Sequence, residues 1–318
     1  MRVLAWVHLY PPDHCAGAEM MLHEILLGLK ERHHQVRVLV NDSSAASFEG
    51  VPITVQDNRD SLNLINWADV IITHLDKTPL VISAVGQRKP LVHLVHNHMQ
   101  LDYHGVNPRY AQLVVANSKW IEKAIHWPGN TIVVPPPVRP SRYATTPGDR
   151  ITLINLCEDK GGSRFWQIVK KMPDKKFLGV VGGYYEQIVP SDIPKNAVVM
   201  PHTPDITEAY AQTRILLCPS HYESWGRVGI EAAASGIPTI AAPTPGLMES
   251  LGDSGTFVDI DNIDGWVEAI RELDDPTVYK AKSEAALQRS AELDPEPYID
   301  LLEDQMRALV AKWQSRKG

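Results

Sequence analysis

The sequence predicts an α/β protein of two domains, each built on a largely parallel sheet. Three observations predict it. Short, near-continuously apolar runs alternate with amphipathic helical segments along the chain, the pattern of strands buried on both faces by flanking helices. The alternation breaks at Pro135-Pro136-Pro137-Val138-Arg139-Pro140, followed by Thr145-Thr146-Pro147-Gly148, because proline cannot donate to a sheet ladder and biases its neighbours away from helix. It then restarts, and 318 residues suffice for two domains of about 100–200 residues each. The expected division is residues 1–143, residues 144–293, and a terminal helix over 294–318 that crosses back to the first domain.

The elements follow in order. Val3–Leu9 reads as the first strand and Glu19–Arg32 as a helix, with Met21, Ile25, Leu26 and Leu29 on one stripe. Val36–Val40, Val70–Thr73, Leu91–His96 and Leu113–Ala116 are the next strands. After the proline break come strand Ile151–Asn155, a helix near Ser163–Lys171, and strands Lys176–Val181, Ala197–Met200 and Ile215–Pro219. Helix Gly226–Ala234, strand Thr239–Ala241, strand Thr256–Val258 and a helix near Asp264–Leu273 complete the second layer. Asp294-Pro295 supplies a cap with proline in the first turn, and Tyr298, Leu302, Met306, Leu309 and Trp313 form the apolar stripe of the last helix.

Composition narrows the function classes. A 44% hydrophobic and 22% charged chain can bury an ordinary globular core. The net charge of −7 provides no overall basic field for nucleic acid or anionic membrane. Cys15, Cys157 and Cys218 are too few and too scattered for a disulfide framework or a zinc site. The first apolar run is short and meets Pro11-Pro12, unlike a signal peptide. No run approaches the roughly 20 apolar residues of a membrane span, so a cytoplasmic protein without an integral membrane segment is expected.

The chemistry concentrates in Cys218-Pro219-Ser220-His221-Tyr222-Glu223-Ser224-Trp225-Gly226-Arg227-Val228-Gly229-Ile230-Glu231. This is a buried strand, a loop and a helix start, with two carboxylates eight residues apart. Glu223 falls just past the carboxyl end of a strand, where open α/β sheets bind ligands. The helix start at Gly226 suits a phosphate group, and Glu231, inside the helix, can accept from a ribose diol. Read as two glutamates alone, they are equally a solvated loop acid and a surface helix acid. Lys160, in Asp159-Lys160-Gly161-Gly162, can stabilise charge on a departing nucleotide, or be a solvated loop lysine. His93, His96, His98 and His104 invite a metal reading beside the plainer one of satisfied or exposed histidines. Asp259-Ile260-Asp261 matches a metal-binding D-x-D by letters, yet Asp261 or Asn262 there suits a helix cap.

The segment Glu223-Ser224-Trp225-Gly226-Arg227-Val228-Gly229-Ile230-Glu231-Ala232-Ala233-Ala234-Ser235-Gly236-Ile237-Pro238 closely follows the signature E-x-F-G-x-x-x-x-E-A-m-A-x-G-x-P. In it the chain resembles the retaining, family-four glycosyltransferases of the GT-B fold, with Trp225 in place of the usual phenylalanine. Tyr10-Pro11-Pro12 and Ala16-Gly17-Ala18-Glu19 resemble that family's first strand-loop-helix, Ala16 replacing a glycine. Pro245-Gly246-Leu247-Met248-Glu249 resembles its G-G-x-x-E loop.

The resemblance implies two Rossmann-like domains with parallel sheets facing an interdomain cleft. It implies a nucleoside-diphosphate sugar as donor substrate, no cofactor and no metal. Glu223 and His96 would position the transferred sugar, with Lys160 neutralising the diphosphate and Glu231 holding the ribose. Asn155, Gly161, Ser224, Trp225, Gly226, Arg227 and Val228 would line the donor, and Gly17 would let backbone approach a phosphate or the acceptor. Many members carry an arginine five residues before the lysine, where this chain has Asn155; Arg164 and Arg227 are the candidates to replace that cation. A nucleotide-sugar epimerase and a non-catalytic nucleotide-sugar binding protein are the alternatives. Glycan, lipid, small-molecule, protein and modified-nucleobase acceptors all stay open.

Overall fold

The computed structural model describes residues 1–99, 106–107 and 109–316. The chain forms two compact units, Met1–Pro137 with Pro295–Gly318, and Val138–Asp294. In the first, strands β1 (Arg2–Trp6), β2 (Gln35–Val40), β3 (Ser47–Phe48), β4 (Val51–Val55), β5 (Val70–His74), β6 (Leu91–Val95), β7 (Leu113–Ala116) and β8 (Thr131–Val133) make one sheet in the order β3-β4-β2-β1-β5-β6-β7-β8. All pairings are parallel except β3 with β4.

The pleat explains the unbroken apolar runs. Val3, Ala5, Val70 and Ile72 face helix Gly17–Glu31 on one side, while Leu4, Trp6 and Ile71 join Leu64, Ile65, Val81 and Val85 on the other. Both faces are covered, so alternate residues have no polar side to point to. The first strand ends at Trp6, earlier than its apolar run suggests.

The last helix, Glu296–Ser315, packs within the first unit. Its buried residues are Ile299, Leu302, Met306 and Val310, with Tyr298 and Leu309 only partly buried. The stripe is thus rotated from the sequence reading, and Trp313 lies at its half-buried margin. Arg32 pairs with Glu296 at 3.0 Å and Asp300 at 2.5 Å, and His34 Nε2 lies 3.0 Å from Glu303. The Arg32 pairs, whose carboxylates are exposed, contribute about 0–1 kcal/mol each, whereas each buried apolar side chain contributes about 1.5–3 kcal/mol, so burial attaches the helix.

In the second unit, β9 (Arg150–Ile154), β10 (Phe177–Val180), β11 (Ala197–Met200), β12 (Thr213–Cys218), β13 (Thr239–Ala241) and β14 (Thr256–Phe257) form an all-parallel sheet in the order β11-β10-β9-β12-β13-β14. Val138 and Tyr143 join Leu216, Ile230 and Leu247 in one core cluster, which is why this unit begins at Val138. Helices Gly162–Lys171 and Ile263–Glu272 cover one face through Phe165, Ile168, Trp266 and Ile270. Helix Arg227–Ala233 covers the other. Strand order leaves β9 in opposite directions, toward β10 and toward β12, making the gap between the carboxyl ends of β9 and β12 a topological switch point. Among the described residues no helix is long and apolar enough to cross a membrane.

Candidate active site

The switch point is where two motif residues meet. After β9 the chain makes a short turn over Glu158–Lys160 and passes through Gly161 at φ +88. A Cβ on Gly161 would sit 2.4 Å from the Pro219 carbonyl oxygen, and one on Gly162 would sit 2.1 Å from that of Leu156. Neither backbone oxygen can yield, so glycine is what lets the turn close against the end of β12. That closure sets Lys160 Nζ 2.5 Å from Glu223 Oε1, the oxygen to which Ser220 Oγ donates at 3.1 Å. The two side chains keep 31% and 14% of their surface open to solvent, so a ligand can reach both. Burial lowers the affinity of Lys160 for its proton, but the Glu223 carboxylate outweighs burial and raises its pKa.

Gly226, at φ +84, precedes helix Arg227–Ala233, and a Cβ there would sit 2.4 Å from Leu247 Cδ2. Ser224 and Val228 are half-buried on either side of it. Trp225 is buried, and its indole N–H has no acceptor among the described residues. Glu231 was expected to face a ligand. It is only 6% exposed, and both its oxygens are engaged: Oε1 accepts from Arg227 Nε, and Oε2 accepts from the Tyr210 hydroxyl at 2.7 Å. Arg227 also donates to the Tyr143 hydroxyl. Burial and then the Glu231 carboxylate hold the Tyr210 hydroxyl well above its ordinary pKa, as a permanent donor.

Neither candidate replacement for the missing arginine is free of a carboxylate. Arg227 is committed to Glu231. Arg164 donates to the Ile260 carbonyl at 3.1 Å and pairs with Asp261 at 2.8 Å, its Nη1 lying 2.8 Å from His221. Asn155, at φ 70, shapes the loop: its Oδ1 accepts from Cys157 N at 3.2 Å and Gln187 Nε2 at 3.0 Å. Gln187 in turn accepts from Leu156 N at 2.9 Å and Gly182 N at 2.8 Å. Sequence reading missed Gln187 and Tyr210, since neither belongs to a motif and both act through spatial contact alone.

His96 and Gly17 lie in the first unit. His96 follows β6, with Nε2 2.8 Å from His74 Nδ1. Burial, then His93, pushes its pKa down to about 3, and burial holds His93 at about 4. Both rings are therefore neutral at pH 7, so His96 can donate or accept a hydrogen bond but supplies no positive charge. His93 Nδ1 lies 3.1 Å from Thr78 Oγ1 and the His98 ring 5.8 Å from Trp120; His104 lies outside the described residues. Gly17 opens helix Gly17–Glu31, and a Cβ there would meet nothing within 4 Å. In the Asp259–Asp261 turn, Asp261 pairs with Arg164, Asp259 Oδ1 accepts from Asp261 N at 3.0 Å, and Asn262 caps the next helix through Gly265 N at 2.9 Å. Among the described residues no group of three or more histidine, cysteine or acidic side chains is placed to hold a metal ion.

Residues 155–275 match the family described as Glycosyl transferases group 1. A D-inositol 3-phosphate glycosyltransferase of Catenulispora acidiphila is 36% identical over 94 residues, 29% of this chain and 22% of that protein. A glycogen synthase of Mycobacterium tuberculosis is 39% identical over 74 residues, 22% of this chain and 18% of that protein. The chain thus spans about a fifth of the length of the curated relatives it matches. Across almost its whole length it is similar in fold to sucrose-phosphate synthase from Thermosynechococcus elongatus, at TM-score 0.76 and 14% identity over 98% of this chain and 100% of that one. The Anabaena protein HepE, solved with UDP-glucose, matches at TM-score 0.77 and 17% identity over 97% of this chain and 100% of that one. The chain has the GT-B fold, and its residues 155–275 match the group 1 glycosyl transferases.

Proposed function

We propose that this protein transfers a sugar from a nucleoside-diphosphate sugar to an acceptor hydroxyl with retention of anomeric configuration. The observation that carries the reading is the Lys160–Glu223 contact at the switch point between β9 and β12. It places a cation and a hydrogen-bonding carboxylate side by side where an open α/β sheet takes its ligand. Solved complexes of HepE with UDP and with UDP-glucose support a uridine nucleotide as the first donor to try.

On donor binding Lys160 turns from Glu223 to the diphosphate, and Glu223 exchanges it for hydroxyls of the sugar. The bond from the anomeric carbon to the β-phosphate oxygen breaks, and the acceptor oxygen bonds to that carbon on the same face. The acceptor proton passes to the departing phosphate oxygen. Lys160 and the amides of the first turn after Gly226 stabilise the charge that develops there.

Proton NMR of the reaction with an α-linked donor tests this. With a panel of sugar, polyol and hydroxymethylated-nucleobase acceptors, the expected result is free nucleoside diphosphate and an α-linked product. A β-linked product contradicts retention. Conversion of the donor sugar without any acceptor identifies an epimerase, and bound donor without turnover on any acceptor identifies a binding protein.

A further inference from the structure

Lys77 is a buried cation without a counter-charge. It ends the short turn Leu75–Lys77 after β5, and only 6% of the residue is exposed. A lysine rarely goes this deep unless a carboxylate pairs with it, because an unpaired buried charge is costly. Its ammonium donates to Asn41 Oδ1 and, at 2.7 Å, to Gln56 Oε1, and it lies 5.8 Å from the centre of the Trp6 ring. All three partners are neutral. Among the described residues no carboxylate pairs with Lys77, and burial lowers its pKa with no opposing charge to restore it. Asp57, next to Gln56, is committed instead to capping helix Asn58–Trp67.

These groups gather at one end of the first sheet. Trp6 ends β1, Asn41 follows β2 and Gln56 follows β4. Strand order leaves β1 in opposite directions, toward β2 and toward β5. That is a topological switch point of the first unit, at the carboxyl ends where open α/β sheets bind ligands. The ammonium lies beneath an exposed rim. Asn41 and Gln56 are both exposed, as is His8, whose Nδ1 lies 2.9 Å from Asn41 Nδ2. An ammonium has three donors. The two amides take two of them, and the third has no acceptor among the described residues.

We infer that Lys77, held in place by Asn41 and Gln56, binds an anionic group of the acceptor, so that this protein glycosylates a molecule carrying a phosphate or a carboxylate. The inference rests on the transferase reading above. The anion supplies the counter-charge that the fold withholds, and a hydrogen bond between two charged groups is about twice as strong as one between neutral groups.

The test is calorimetric titration of glucose, glucose 6-phosphate, glucuronate and inorganic phosphate into the wild-type protein and Lys77→Met. Each protein is first saturated with UDP, GDP or ADP, whichever binds, so that the diphosphate site is filled. The wild type is expected to bind the anionic sugars at least about tenfold more tightly than glucose, and Lys77→Met to reduce that preference to about threefold or less. Glucose 6-phosphate favoured over glucuronate names a phosphate, and the reverse names a carboxylate. Methionine fills similar space without the charge, and the exposed amides of Asn41 and Gln56 can turn to water, so the melting temperature should hold or rise. A wild type without the preference, or a variant that keeps it, overturns the inference; transfer to neutral acceptors then leaves the transferase reading intact. A variant that melts lower and loses affinity for every ligand alike makes Lys77 a structural residue and also overturns it. A wild type that binds no nucleotide removes the transferase reading and the acceptor role together.

Discussion

Glu223→Gln is expected to lower the rate of sugar transfer by about 10²–10³-fold or more, the range found when one group stabilising a transition state is removed. The substitution is close to isosteric and keeps an acceptor for the Ser220 hydroxyl, now 3.1 Å from Oε1. It removes the negative charge that faces Lys160 and the strong acceptor proposed to hold the sugar hydroxyls. Glu223 lies in a loop after β12, with 14% of its side chain exposed, so its loss leaves no cavity in the core. The melting temperature should therefore move little while transfer falls away. Full activity in this variant contradicts the assignment, and a large drop in melting temperature with proportionate loss of activity assigns Glu223 to the fold.

Lys160→Met is expected to reduce transfer by about 10²-fold or more, because on the proposed reading its ammonium stabilises charge on the leaving diphosphate at the switch point. Its effect should not add to that of Glu223→Gln, since the two side chains touch at 2.5 Å and each single change removes part of the same arrangement. The pH dependence has a defined sign. The Lys160 pKa is raised by Glu223 despite burial, so whatever stability the pair contributes is fully present below the unfolded lysine pKa. It disappears as pH rises through the raised folded value. With 31% of the lysine side chain exposed, solvent screening keeps that contribution small. The expected signature is loss of activity with near-constant stability across neutral pH, read from rates and melting temperatures of wild type, both single variants and the double variant. Additive losses contradict the coupling.

The parts of the architecture that were legible in the sequence are those whose physics is local. Strands β5, β6 and β7 are buried along their whole length, and a strand covered on both faces announces itself as an unbroken apolar run. The loop-helix start at Gly226 was legible because a positive φ and a close approach to Leu247 both demand glycine. Strand β4 was missed. It carries Pro52 and pairs antiparallel with the two-residue β3 at the sheet margin, so it lacks the patterning of a central strand. Three-residue β8, also at an edge, is too short to show a period. The rotated face of the last helix follows from Ile299 and Val310, whose burial depends on what the helix meets, not on its own spacing.

The candidate site divides the same way. Glu223, Lys160 and Gly226 were legible as residue types at motif spacing. That Glu231 and Arg227 consume each other's charge, that Tyr210 closes the second oxygen, and that Asn155 is tied to Gln187 were not. These are tertiary contacts between residues 21 and 32 positions apart, apart from the Arg227–Glu231 pair within one helix.

The central claim is that the β9–β12 switch point binds a nucleoside-diphosphate sugar. Its most direct test is a thermal-shift titration of the protein with UDP-, GDP-, ADP- and TDP-sugars and the free diphosphates, without metal. A ligand that binds only the folded state adds about 2.7 kcal/mol at one hundred times its Kd, so one ribonucleotide family should raise the melting temperature clearly, and Lys160→Met should diminish that rise. An unchanged melting temperature with every nucleotide, with or without a divalent cation, contradicts the account.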